Sequence, residues 1–405
     1  MKTARNNLLY VLLLTLTAIC PLFAKAAEPA LTAATHTALT KARDLIKNEQ
    51  YASAKNIIDE LLQSGIPDYD RAITQQIEGY IYIGLKNNSA AIKSFTSAID
   101  LGVLPEQVSH QVEFILARLL ASESDYKKAE MHLEHWLKSE PKPNADAHVL
   151  AASIYYQTGK MQPMVDHLQE LLKINENQDK TVFDMLLYGY FQLKDYNSAA
   201  QLLVKLLSKN PGNKEYWKQL AATYLQLKQY KKAIAYYKLA YLHGYLDTTD
   251  IMQLVSLYMS QQLPYEAASL LNDEIDKGTI EKNKKNLELL AHCWLQAREY
   301  DHATDTMQQI VDINQDPDIY YQMGRIFYQQ QKWPEVIKSM QRAMKHPDPG
   351  KKSFAALLTG IAEFHIENYA DAAKALNQAK SYHDTRSQAQ WWLDKIDRTL
   401  KKNNS

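Results

Sequence analysis

The sequence predicts an all-α fold, an α-solenoid of about ten helix hairpins closed by a C-terminal capping helix. Three observations lead there. Ala54, Ala91, Ala129, Ala199, Ala233, Ala267, Ala303 and Ala372 fall on a ladder, and Met164 and Val336 fill its two vacant rungs. The successive intervals are 37, 38, 35, 35, 34, 34, 36, 33 and 36 residues, so one supersecondary unit is copied along the chain. Within a copy, apolar residues recur at spacings of three, four and seven, the signature of an α-helical stripe. Prolines respect the pattern: Pro163, Pro264 and Pro334 start second helices, where a missing N–H costs little, and Pro141 and Pro211 follow them.

A globular chain of 405 residues would divide into two or three domains, but a stacked array grows in one dimension and needs no single large core. With 46% hydrophobic and 23% charged residues the chain is a folded one, not a disordered one.

The elements follow in order. Lys2 and Arg5 precede an apolar run from Leu8 to Phe23, and Ala24-Lys25-Ala26 supplies a small-x-small cleavage pattern. The run is short for a bilayer span and Pro21 interrupts it, so residues 1–26 read as a cleaved secretory leader and the remainder as periplasmic, with no membrane span after cleavage. The alternatives are a retained anchor and a lipoprotein at Cys20, the latter disfavoured by Ile19 before it and Pro21 after it. Loss of Lys2, Arg5 and Lys25 leaves 43 basic against 46 acidic residues. No basic excess remains to track phosphates, which argues against nucleic acid as a partner. Cys293 is then the single cysteine, so no internal disulfide is possible and packing must hold the array.

The solenoid is expected over residues 27–383. Its clearest copy spans 214–242. There Trp217, Leu220, Ala221 and Tyr224 form the stripe of a first helix, and Tyr230, Ala233, Tyr237 and Ala240 that of a second. Gln226, Lys228 and Gln229 mark a short polar turn. Helices approach to 8–10 Å only where neither presents a bulky side chain, which explains the small residues at one place in each helix. Copy four, with Met164 on the ladder, and copy seven, with Pro264 in the turn, are degenerate. Residues 384–405 hold one more amphipathic helix, Gln388 to Lys401, which would cap the last repeat.

These residues resemble the tetratricopeptide repeat. The likeness continues in Gly79, Tyr82, Ala91, Phe95 and Ala98; in Ala117, Tyr126 and Ala129; and in Tyr190, Tyr196 and Ala199. Leu290, Ala291, Trp294, Tyr300 and Ala303 carry it further, then Gly324, Trp333 and Ala343, and finally Gly360, Tyr369, Ala372 and Ala379. The resemblance implies a right-handed solenoid acting as a protein-binding scaffold, without catalysis or cofactor. By the same resemblance, first-helix positions facing the groove are Tyr80, Phe114, Arg118, Tyr156, Tyr188, Phe191, Tyr321, Arg325 and Tyr328. Aromatic and arginine side chains of this kind are common interface anchors. Chaperone-binding members of the family need asparagine at one groove position. Here it is held by Arg43, Tyr80, Arg118, Ser153, Tyr188, Ala222, Ser256, His292, Arg325 and Ile361, so that specialisation is disfavoured.

The stretch Leu263 to Ala303 is similar to secreted tetratricopeptide proteins of proteobacteria encoded beside TonB, ExbB and ExbD. That implies a periplasmic accessory to TonB-type energy transduction, with those components as partners; His292 and Cys293 depart from the usual residues. An adaptor in envelope or exopolysaccharide assembly is the alternative within the same class. A cryptic metal-dependent hydrolase is the alternative outside it, but its support is thin. His132 and His135 lie three apart with no third ligand in view, and read as a solvated face. Asp312, Asn314, Asp316 and Asp318 alternate like a calcium loop. Pro317 replaces the glycine and Met323 the final glutamate, so the segment reads as a polar loop. Cys293 reads as a small buried filler.

Overall fold

A computed structural model describes residues 30–403; the expected leader lies outside the described residues. Among the described residues there are twenty-one α-helices and no strand. They form two compact units that divide after Asp195. The N-terminal unit stacks four hairpins, Ala33–Lys47 with Tyr51–Gln63, Asp68–Gly84 with Asn88–Asp100, Glu106–Ser122 with Tyr126–Ser139, and Ala145–Thr158 with Met161–Ile174, then the helix Lys180–Gln192. The C-terminal unit begins with Tyr196–Lys209. Five hairpins follow: Lys214–Gln226 with Tyr230–Leu242, Thr248–Ser260 with Pro264–Asp276, Lys284–Gln296 with Tyr300–Asn314, Pro317–Gln329 with Trp333–Ala343, and Pro349–His365 with Tyr369–Lys380. The helix Arg386–Asn403 ends it. Within each unit a helix packs chiefly on those just before and after it, the arrangement of an all-α solenoid of helical hairpins.

One turn closes every copy. Glu49, Lys86, Ser124, Gly159, Lys194, Lys228, Gln262, Arg298, Gln331 and Glu367 have left-handed backbone, each five residues before a ladder position. In copy six the N–H of Gln229 donates to the Tyr224 carbonyl at 2.9 Å, and that of Lys228 to Leu225 at 2.9 Å. Copy one repeats this pairing with Gln50 to Leu45 and Glu49 to Ile46, and copy ten with Asn368 to Glu363 and Glu367 to Phe364. Such paired bonds satisfy carbonyls that a helix end would leave open. Only copy four places glycine at the left-handed position; elsewhere a residue with a β-carbon accepts a cost of about 1 kcal/mol. The residue after it starts the second helix, and its carbonyl accepts the ladder amide four positions on, as in Ala91 to Asn87 at 3.0 Å.

In the hairpins of each unit this turn sets the ladder residue against the first helix. Every ladder residue is fully buried, Met164 and Val336 included. Opposite them stand small residues such as Ala42, Ala117, Ala152 and Ala221, likewise buried. The space is tight: a Cβ added at Gly79 would lie 2.6 Å from the Phe95 ring, and one at Gly324 2.6 Å from Met340 Cε. Copies four and seven hold register despite their unusual residues. Met164 extends toward Gly189 of the helix Lys180–Gln192, where a Cβ would come within 2.6 Å of its Cε. Pro264 is the first residue of its helix, a position that needs no N–H. The last helix lays Ala389 and Ile396 against the hairpin of Pro349–His365 with Tyr369–Lys380.

Arginine in place of Ala233 or Ala303 should therefore cost several kcal/mol, on the order of 3, through overpacking and an unpaired buried charge. Thermal unfolding followed by circular dichroism checks this, and a melting temperature equal to that of the parent would contradict it.

Candidate protein-interaction surface

The nine candidate groove residues divide by how much ring they leave free. In the N-terminal unit Tyr80 is half-buried, edge-on to Phe95 with centroids 5.2 Å apart, and burial raises its phenol pKa. Phe114 packs on Trp136 at 4.5 Å, and the Arg118 guanidinium lies 5.1 Å from the Phe114 centroid. These rings serve their own hairpins first. Tyr156 and Tyr188, on consecutive first helices, meet edge to face at 5.4 Å and are each 40% exposed. Phe191, in the last turn of its helix, is half-buried.

In the C-terminal unit Tyr321, Arg325 and Tyr328 share one face of Pro317–Gln329, at spacings of four and three. Tyr321 and Arg325 line an open depression of about 370 Å³ with Leu295, Asp318, Gln322 and Lys351. Tyr328 lines another of about 430 Å³ with Ile361, Ser387, Gln388, Trp391 and Trp392. The two indoles stand nearly perpendicular, 88° apart with centroids at 5.0 Å, and Trp391 is 52% exposed. Sequence reasoning assigned both tryptophans to a cap. The available signal was their adjacency, because neighbours on a helix point about 100° apart and cannot both face one core.

Several chemistry-bearing residues sit elsewhere than expected. His132 is buried, not solvated, and its Nδ1 lies 2.5 Å from Glu113 Oε2 on the facing helix. His135 is the exposed member, 3.4 Å from the other oxygen of the same carboxylate. The acidic series is not a loop: Asp312 and Asn314 end a helix, Asp316 caps the next, and Asp318 lies inside it. Lys284 reaches Asp316 at 2.8 Å. Cys293 is fully buried, and burial pushes its thiol up to about 11. A second histidine pair went unnoticed in the sequence because nineteen residues separate its members. His148 Nδ1 and His167 Nδ1 are 2.9 Å apart, so one ring N–H donates to the other ring's lone pair. Among the described residues no three His, Cys, Asp or Glu side chains converge as a metal-ligand set, and no helix is long and apolar enough to cross a membrane.

Tetratricopeptide repeat models match residues 145–178 and 190–241. A model described as the N-terminal domain of EccA1, a protein of the ESX-1 type VII secretion system, matches residues 285–394. A curated relative is the TPR repeat-containing protein YpiA of Bacillus subtilis (strain 168), 24% identical over 234 residues. The match takes in 56% of this chain and 53% of that protein, so the chain spans about half the length of the relative. Among solved structures, a tetratricopeptide repeat protein of Parabacteroides merdae is 14% identical, with a TM-score of 0.35 over 65% of this chain and 99% of that one. The C-terminal part of a TPR repeat-containing protein of Cytophaga hutchinsonii is 16% identical, with a TM-score of 0.34 over 68% and 95%.

The His148–His167 pair carries a pH signature. Burial holds both imidazoles below their ordinary 6.5, and His148 adds to the depression at His167, against the pull of Glu170 and Asp166. The unfolded chain therefore takes up these protons first as pH falls. Stability from the pair is complete above about pH 6.5 and declines below it. Melting temperatures between pH 7 and 5 should fall less steeply for His167→Phe than for the parent, and equal slopes would contradict the assignment.

Proposed function

From a chain built of tetratricopeptide repeats, we propose a non-catalytic scaffold that binds protein segments on its first-helix face. The observation that carries this reading is the face of Pro317–Gln329, where Tyr321, Arg325 and Tyr328 open onto two adjoining depressions. Large rings left partly exposed beside an ample core cost solvation, and a docking partner would recover it. The depressions suit side chains of an extended or helical segment, the usual way a groove reads a peptide.

The proposed setting is the periplasm, with residues 1–26 as a cleaved leader, 27–383 as the repeat array and 384–405 as cap and tail. The proposed system is TonB-type energy transduction for outer-membrane uptake. Support for the compartment is the charged, apolar and small-residue pattern at the N-terminus; support for the system is the resemblance carried by Leu263 to Ala303. The protein recovered from the producing cell should begin at Ala27, which N-terminal sequencing reads directly; a chain that retains Met1 would contradict export by cleavage. Affinity purification of the tagged protein from crosslinked envelopes should enrich TonB, ExbB or ExbD. The Tyr321→Ala, Tyr328→Ala double variant should reduce that enrichment roughly tenfold, as expected where aromatic anchors dominate an interface. Absence of all three components from the wild-type capture would exclude this system.

A further inference from the structure

We propose that the depression beside Arg325 receives a carboxylate side chain of the partner, and that the tryptophan corner next to it receives a large apolar residue about three positions away in the same extended segment. This rests on the scaffold reading and specifies what the scaffold reads.

The argument begins with charge. Asp318 supplies the carboxylate of the first depression, and it is already taken. Lys351 pairs with its Oδ1, His346 Nε2 stands 3.7 Å from the same oxygen, and Gln322 donates to Oδ2 at 3.0 Å. Lys351 holds that carboxyl below the usual range, so it stays ionised at neutral pH. With Asp318 and Lys351 offsetting each other, Arg325 is left as uncompensated positive charge. Its guanidinium is exposed, lies 5.9 Å from the Tyr321 centroid and makes no ion pair. A guanidinium steadied against a ring and not paired with an acid offers a planar fork matched to a carboxylate. One such fork suits one acidic side chain; a phosphate polymer would call for a row of cations, and this depression has no row.

The second depression has the opposite character. No charged residue lines it. Lys395 Nζ lies 4.3 Å from the Trp392 centroid, 4.9 Å from that of Phe364 and 5.3 Å from that of Trp391, so an internal ammonium already holds the place a ligand cation would take. What remains is a neutral corner of Trp391, Trp392, Tyr328 and Ile361, suited to an aromatic or branched apolar side chain. Both depressions take residues from Pro317–Gln329 and Pro349–His365, and packed helices stand about 8–10 Å apart, which sets the scale of the step from one depression to the other. An extended chain advances about 3.3 Å per residue, which sets the acidic and apolar residues roughly three apart.

The test is selection of a random-peptide display library on the full-length protein, followed by binding of the recovered peptides to purified variants. Wild type should enrich Asp or Glu about three residues from Phe, Trp, Tyr or Leu. Arg325→Gln should lose the acidic preference and keep the apolar one, while Trp391→Ala should do the reverse. For a recovered peptide, replacing its Glu by Gln should weaken binding about tenfold on wild type and leave binding to Arg325→Gln unchanged, because the two changes remove one interaction. Unaltered thermal unfolding of Arg325→Gln would confirm that the fold is intact. Peptides that bind in competition with Tyr321→Ala-sensitive ligands but carry no acidic preference would overturn this proposal and leave the scaffold standing. Failure to recover any peptide would overturn both. Displacement of the peptide by a single-stranded oligonucleotide in an Arg325-dependent manner would replace the carboxylate with a phosphate and refute the assignment.

Discussion

The close crossing of the two helices in a hairpin governs each unit of this molecule. A buried residue, alanine in eight copies of ten, sits four positions into every second helix, and in eight copies the first helix carries alanine or glycine twelve positions before it. That pairing lets the helices approach until the side chain one turn further on, such as Phe95, Leu133 or Met340, fills the space above it. A single left-handed residue fixes the turn that brings the two positions together. The hairpin is thereby a rigid unit, yet too small to be stable alone, and within each unit it leans on its neighbours.

Rigid hairpins free one surface for other use. Second helices spend their apolar faces on neighbours, and lysines tie successive copies together: Lys160 with Glu134, Lys218 with Asp250, Lys284 with Asp316, Lys332 with Asp301. First helices keep aromatics and arginines that these ties leave alone. The contrast between Arg118 on Phe114 and Arg325 on Tyr321 is instructive. Both stack on a ring four residues earlier, but Phe114 is already packed on Trp136, whereas Tyr321 borders an open depression. Sequence position makes them equivalent; packing does not.

Much of the fold was legible because its determinants are local and repeated. The ladder intervals read from alanines recur without change in the spacing of the left-handed residues, with Met164 and Val336 in their rungs. Helical period and proline placement are likewise properties of one segment. What stayed hidden depended on neighbours in space. Gly189 makes room for Met164 from the next helix, a compensation that no reading within one copy reveals. His132 turned inward because Glu113 of the facing helix offered a partner. Tyr80 and Phe114 share a groove position with exposed residues in other copies, but Phe95 and Trp136 claim their rings. Trp391 and Trp392 are hidden differently: a capping helix accounts for both as core residues, and only their adjacency shows that one must face outward.

Amide hydrogen exchange at the ladder positions tests the central claim most directly. These amides form the first backbone bonds of the second helices, where an isolated helix would fray and exchange quickly. The account predicts slow exchange at Ala54, Ala91, Ala129, Met164, Ala233, Ala267, Ala303, Val336 and Ala372, because each crossing buries that first turn. Rapid exchange at these amides, or at Met164 and Val336 alone, would contradict a single crossing geometry shared by the hairpins within each unit.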